Sequence, residues 1–242
     1  MEFSYTDVSK MIDHSLLNPT LTTAQLEAGI SVALAYDVAS VCIVPWYMRP
    51  CAQRLAGSNV QPSTTIGFPH GANTTSIKVK EAEQAIRDGG TELDMVANIS
   101  AVLSGDWGTV ASDIRAVADV THAAGQKVKV IFENCYLDDA QKIRLCELCS
   151  EIGVDWVKTS TGYGTGGATD ADLTLMRKYT APHIQVKAAG GVRTLDRLLE
   201  VRSIGVSRAG ATATKVILDE ARERLKLPPI GPLMAAEGAG AY

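Results

Sequence analysis

A short run of β-type residues, then a helical pattern, then a glycine: this unit recurs along the whole chain. The β-type runs are Met11–Leu16, Val41–Val44, Thr64–Gly67, Glu92–Val96, Val128–Glu133, Trp156–Thr159, Ile184–Lys187 and Val206–Ala209. Spread over 242 residues, they recur at the length one βα unit needs. The segments between them carry helix punctuation. Thr22 to Gln25 reads as a capping box. Ser76–Asp88 stops at Gly89-Gly90, Asp113–Ala124 at Gly125, and Asp138–Ile152 at Gly153. Asp170–Tyr179 ends near Pro182, and Thr194–Ser203 ends before Gly205.

Strands alternating with helices imply an α/β chain with a parallel sheet. Eight such units suit a single-domain (β/α)8 TIM barrel. An open doubly wound sheet is the alternative. The barrel is preferred because several runs place charged residues on one face near their carboxyl ends. Lys158 shares a face with Trp156, Lys187 with Gln185, and Asp94 with Glu92 and Val96. Charged ends pointing inward describe a barrel mouth. No linker divides the chain, so one domain is expected over residues 1–226. A Pro-, Gly- and Ala-rich tail over 227–242 is expected to be mobile.

Composition limits the function classes. Hydrophobic residues make up 46% and charged residues 21%, which is ordinary for a globular chain and argues against disorder. A net charge of −4 argues against a broad nucleic-acid surface. No run approaches the ~18 apolar residues of a spanning helix, and MEFSYTDVSK lacks a signal peptide's apolar core. Five cysteines, an odd number, fit a reducing compartment. A cytoplasmic protein is expected.

Lys158 and Lys187 end neighbouring strands. An apolar wall and a nearby second ammonium both lower a lysine pKa, and a neutral amine can form a Schiff base with a carbonyl. The plainer alternative is that the lysines reach solvent or pair with an acid. Asp94 faces the same mouth, as a proton shuttle or a simple ion-pair partner. Asp13 and Glu133 also reach towards it, in supporting roles. Gly190-Gly191, Gly210-Ala211-Thr212 and Thr159-Ser160-Thr161-Gly162 are short-residue loops at one face. The loops after strands seven and eight are where such barrels hold phosphate. Gly164-Thr165-Gly166-Gly167 lacks a dinucleotide fingerprint's context and reads as a mobile loop over the site. Cys146-x-x-Cys149 sits inside a helical pattern and reads as packing. The four histidines show no metal-ligand spacing.

With these residues, the sequence closely resembles 2-deoxyribose-5-phosphate aldolases. The match runs from Ile12-Asp13-His14-Ser15-Leu16-Leu17 to Ala213. Its motifs are Ile66–Gly71, Glu92–Val96, Val157–Gly162 and Val186–Arg193. The resemblance implies a metal-free class I aldolase without a cofactor. It implies reversible cleavage of 2-deoxy-D-ribose 5-phosphate to glyceraldehyde 3-phosphate and acetaldehyde. It assigns Lys158 as nucleophile, Lys187 as pKa-lowering neighbour and proton partner, and Asp94 to the relay. Gly162, Gly190, Gly191, Gly210 and Thr212 fall where the family holds phosphate. A terminal tyrosine on a mobile tail is frequent in the family, so Tyr242 joins Asp13 as a relay candidate. Two positions depart from the pattern. Ala213 stands where the family usually has a second serine, and Val44 where it often has asparagine.

The expected partners are thus a small sugar phosphate and acetaldehyde, with no nucleic acid and no membrane. The oligomeric state is left open, with a homodimer as one option. Two rivals remain at this stage. One is a barrel lyase or phosphosugar isomerase with no covalent step, acting on a different or non-phosphorylated substrate. The other is a catalytically silent sugar-phosphate binding protein.

Overall fold

In a computed structural model of the chain, residues 2–233 are described. The strands are β1 (Ile12–Leu16), β2 (Ser40–Ile43), β3 (Gln61–Ile66), β4 (Glu92–Val96), β5 (Lys127–Ile131), β6 (Trp156–Lys158), β7 (Gln185–Ala189) and β8 (Arg208–Ala211). Each pairs in parallel with the next, and β8 pairs with β1, so the sheet is a closed barrel with no edge. The helices are α1 (Tyr5–Ser9), α2 (Thr23–Ala35), α3 (Met48–Leu55), α4 (Thr75–Arg87), α5 (Ile99–Leu103), α6 (Trp107–Ala123), α7 (Asp139–Ile152), α8 (Asp170–Tyr179), α9 (Leu195–Ser203) and α10 (Thr214–Arg224).

The core lies mainly between the barrel and its helices. Alternate strand residues such as Ile12, Leu93, Met95, Val128, Val130, Val157 and Val186 are fully buried there. Cys146 and Cys149 join this layer from α7. The other set of strand residues turns inward, which contacts between distant strands establish. Asp13 on β1 meets Lys129 on β5, the opposite strand, and Glu92 on β4 meets Arg208 on β8. Only the barrel interior offers such paths. Trp156 fills that interior, with Lys129 and Arg208 set 5.6 and 5.1 Å from its ring.

Element ends shift where apolar patterning is weak. The eighth run reads as Val206–Ala209, but the strand is Arg208–Ala211. Val206 instead closes the end of α9, its N–H donating to the Val201 carbonyl. β3 begins early, at Gln61, and tolerates Pro62 near its start. α6 begins at Trp107, capped by Asp106, well before Asp113. The segment from Leu227 starts docked: Arg222 donates to the Pro228 carbonyl, and Ile230 and Leu233 pack on the core. Lys78 on α4 is a buried fastening. Its Nζ donates to Asp113 on α6 at 2.5 Å and to the Val96 carbonyl at 2.9 Å.

His14 ties the barrel seam, its Nδ1 lying 2.7 Å from Thr214 Oγ1 at the start of α10. Burial pushes its pKa down to about 4. The folded imidazole is therefore neutral, whereas an unfolded one titrates near 6.5. As pH falls from about 6.5 towards about 4, the unfolded chain takes a proton that the folded chain refuses. Stability should therefore fall by up to ~1.4 kcal/mol per pH unit across that window. Denaturant titrations at stepped pH should show this acid slope, and His14→Asn should flatten it. An equal slope in the variant would assign it to other groups.

Candidate active site

Six strands deliver charged side chains to one buried cluster. Asp94 stands at its centre. Its Oδ2 accepts from Lys158 Nζ at 2.8 Å and from Lys187 Nζ at 2.7 Å. Its Oδ1 accepts from Lys129 Nζ at 2.9 Å. Lys158 and Lys187 are register partners on β6 and β7. Asp13 pairs with Lys187 at 2.6 Å, with Lys129 at 3.4 Å and with Arg208. Glu92 pairs with Lys129 at 2.6 Å and accepts from Arg208 Nη2 at 2.7 Å.

Three carboxylates thus face four basic groups: Asp13, Glu92 and Asp94 against Lys129, Lys158, Lys187 and Arg208. One positive charge is in excess, and a buried unbalanced charge is costly. Arg208 cannot yield its proton. Lys129 touches three carboxylates and Lys187 two, while Lys158 touches Asp94 alone. Lys158 is the group whose proton is least supported.

The pKa directions agree. Burial lowers Lys158; Asp94 opposes this and the Lys187 charge adds to it, leaving the amine below its ordinary value. The crowding cation is therefore a lesser cause than burial. Burial works against Lys187 as well, but Asp13 and Asp94 raise it above the ordinary range. Burial also opposes charge on Lys129, which Asp13, Asp94 and Glu92 raise well above that range. Burial alone would raise Asp94, yet Lys129, Lys158 and Lys187 outweigh it and hold the carboxyl ionised far below its usual range. Asp13 is lowered in the same way, burial being outweighed by Arg208, Lys129 and Lys187.

Lys158, Lys187, Asp13 and Cys42 line one end of a cavity of about 410 Å³. Gly162, Gly190, Gly191, Gly210 and Thr212 line the same cavity. The amides of Gly162, Gly190, Gly191 and Thr212 donate to no group among the described residues. α10 opens two residues beyond Thr212 with no side-chain cap. Free amides and an uncapped helix start favour an anion. The Gly164–Gly167 loop lines the cavity too. A Cβ at Gly210 would make only ordinary contacts, 3.6 Å from Ala189 Cβ and 3.8 Å from Lys187 Cε.

Glu133 stands just past β5, 2% exposed and in the left-handed region at φ 57°. That conformation costs a non-glycine residue roughly 1–3 kcal/mol. Its carboxylate accepts from the Thr161 amide at 3.2 Å and from the Thr161 hydroxyl. Tyr242 lies outside the described residues.

Sequence reasoning missed Lys129 and Arg208, although Lys129 alternates with Val128 and Val130 just as Lys158 alternates with its neighbours. It also missed Cys42 and Arg193. Cys42 Sγ lies 4.0 Å from Asp94 Oδ2. Arg193 is an exposed cation on the cavity wall with no ion pair among the described residues. Among the described residues, no group of three or more His, Cys, Asp or Glu side chains could hold a metal ion.

A closed parallel barrel with a buried lysine and carboxylate cluster opening on a cavity has the architecture of a (β/α)8-barrel enzyme. Comparison with known proteins narrows the class. The description "DeoC/LacD family aldolase" matches residues 8–217. A deoxyribose-phosphate aldolase of Rhodopirellula baltica is 62% identical over 241 residues, covering 100% of this chain and 99% of that protein. One from Thermococcus gammatolerans is 44% identical, covering 89% and 97%. Among solved structures, QR15, an aldolase, superposes with a TM-score of 0.86 at 33% identity, covering 91% of this chain and 98% of its own. The tetrameric deoxyribose phosphate aldolase of Aeropyrum pernix gives 0.84 at 27% identity, covering 92% and 93%. The chain belongs to the DeoC/LacD family of aldolases.

The charge count makes a prediction independent of any reaction. Lys129→Met removes one basic group and leaves three carboxylates facing three. Lys158 should then keep its proton to a pH about one unit higher or more. Competitive acylation read by mass spectrometry would locate the pH of half-maximal Lys158 reactivity. An unmoved midpoint would rule out charge balance as its control.

Proposed function

We propose that this chain is a class I aldolase that reversibly cleaves 2-deoxy-D-ribose 5-phosphate to D-glyceraldehyde 3-phosphate and acetaldehyde. One observation carries the reading. Lys158 is the lysine of the buried cluster whose proton is weakly held, and it lines a cavity that continues to unsatisfied loop amides.

The neutral Lys158 amine adds to the C1 aldehyde of the open-chain sugar, and loss of water with uptake of one proton from solvent gives a protonated imine. The C3 hydroxyl then passes its proton through the Asp94/Lys187 pair to water in the cavity. Asp94 Oδ2 touches both lysines, so one carboxylate oxygen connects nucleophile and proton partner. Asp94 is held strongly ionised, so it relays protons within hydrogen bonds without storing one. The C2–C3 bond breaks, its electrons moving into the imine to give an enamine as glyceraldehyde 3-phosphate leaves. Protonation of C2 and addition of water release acetaldehyde and restore the amine. Asp13 supports the relay by holding Lys187 charged.

At the other end, the amides of Gly162, Gly190, Gly191 and Thr212 receive the phosphate, with Gly210 and the start of α10 behind them. Arg193, which has no ion pair among the described residues, adds a positive charge that compensates for the hydroxyl absent at Ala213. No cofactor or metal is required by these steps. A cytoplasmic setting is part of the reading, supported by five unpaired cysteines and by the lack of any described helix long and apolar enough to cross a membrane. So is self-association, a dimer or larger. Trp46 and Ile77 expose apolar surface, and the Aeropyrum pernix relative is described as a tetramer.

Acetaldehyde followed by borohydride should leave an ethyl group on Lys158, found by peptide mass spectrometry. Turnover of the sugar phosphate with no adduct at Lys158 would reject the imine. Asp94→Asn should slow turnover by ~10²–10⁴-fold, read by steady-state assay on protein whose circular dichroism shows it folded.

A further inference from the structure

We propose that Glu133 is the positioning residue for the phosphate end of the site, acting through Thr161 on the Gly162 amide. The proposal rests on reading that end as an anion site. It concerns a buried carboxylate that the chemistry at Lys158 does not use.

The segment around Glu133 grips the last residue of β6 and the residue just past it. Phe132 N–H donates to the Lys158 carbonyl at 3.0 Å, and Asn134 N–H donates to the Thr159 carbonyl at 2.9 Å. Two residues of this segment thus advance against one on β6, and the extra residue is Glu133 in its left-handed turn. Its carboxylate then reaches Thr161, taking the amide with one oxygen and the hydroxyl with the other. With its proton committed, the Thr161 hydroxyl accepts from the Tyr163 amide at 2.9 Å. Tyr163 is held in turn at its far end, its phenol donating to the Leu17 carbonyl at 2.9 Å. Both neighbours of Gly162 are therefore fixed, and the Gly162 amide between them donates to no described group.

This chain of bonds sets a length. The segment that holds the Lys158 carbonyl also holds the residue before the Gly162 amide. The separation between nucleophile and phosphate seat is fixed by Glu133 and not by loop flexibility. The close packing of Gly164 against Glu133 agrees, because a Cβ at Gly164 would stand 3.0 Å from Glu133 Cδ. A buried carboxylate in a left-handed turn is retained where the surroundings need its geometry.

The test uses inorganic phosphate as probe, by calorimetric titration, alongside steady-state kinetics with 2-deoxyribose 5-phosphate. Glu133→Gln and Thr161→Val should each weaken phosphate binding about tenfold, the scale of one hydrogen bond to a charged group. KM should rise by a similar factor, while kcat stays within about threefold. Thr161→Ser, which keeps the hydroxyl, should retain phosphate affinity. Glu133→Gly relieves the backbone but deletes the carboxylate, so it should fold well and bind phosphate poorly. Unchanged phosphate affinity in Glu133→Gln and Thr161→Val would overturn the proposal, as would full affinity in Glu133→Gly. So would a fall in kcat with KM unmoved. If wild type bound phosphate but did not turn over the sugar phosphate, the aldolase reading would fail. Weakened phosphate binding in the variants would still support the positioning role.

Discussion

One surplus positive charge inside the barrel governs this molecule. A barrel interior is commonly packed with branched apolar side chains. Here it holds three carboxylates and four basic groups, bonded across strands that do not touch elsewhere. Replacing buried ion pairs by apolar residues of similar volume is often neutral or stabilising. Stability alone therefore does not account for this cluster. Its distinctive product is an amine held below the ordinary lysine range while Lys129 and Lys187 are raised above it. That outcome does not need Lys158 to be pushed hard by Lys187. It needs Lys158 to have fewer carboxylates than its competitors, in a place where water cannot compensate.

How much of this was legible in the sequence depended on alternation. Lys158, Lys187 and Asp94 each sit in an apolar run and share its inward face, so one residue of offset revealed them. Lys129 obeys the same rule but stands in Lys127-Val128-Lys129-Val130, where two lysines resemble a solvated strand start. Lys127 is indeed exposed and Lys129 wholly buried. Arg208 escaped because its strand is Arg208-Ala209-Gly210-Ala211, with almost no apolar weight, and the preceding Val206 drew the run forward. α3 was not among the helical segments read from the sequence; it carries Pro50 in its first turn, where the missing N–H costs no hydrogen bond. The barrel itself was readable because its period survives errors of two residues at each strand end. The partners of Glu133 were not readable, since no local pattern announces a left-handed residue that is not glycine.

The two ends of the cavity are built by different means. The lysine end uses side chains on strands, whose rotamers are fixed by mutual ion pairs. The other end exposes backbone amides on loops, which need outside support. His14 supplies some by bonding Thr214 at the start of α10, and Glu133 supplies some at Thr161. Lys78 and Asp113 do comparable work behind β4, where the Val96 carbonyl is tied to α4 and α6. These bonds lie where a strand becomes a loop. The barrel supplies rigidity, and these bonds carry it a few residues beyond the strand ends.

The same charge count bears on the proposed chemistry after the amine has reacted. An imine protonated at Lys158 places the fourth positive charge back into a cluster balanced without it. Asp94 already serves Lys129 and Lys187 as well as Lys158, so it cannot fully offset that charge. The imine is thereby made a stronger sink for the electrons of the C2–C3 bond. When the bond breaks, the enamine nitrogen is neutral and the cluster returns to balance. Burial that first favours the neutral amine as nucleophile then favours the neutral enamine as product. A solvent-exposed lysine would have neither advantage, because water would screen both charges alike.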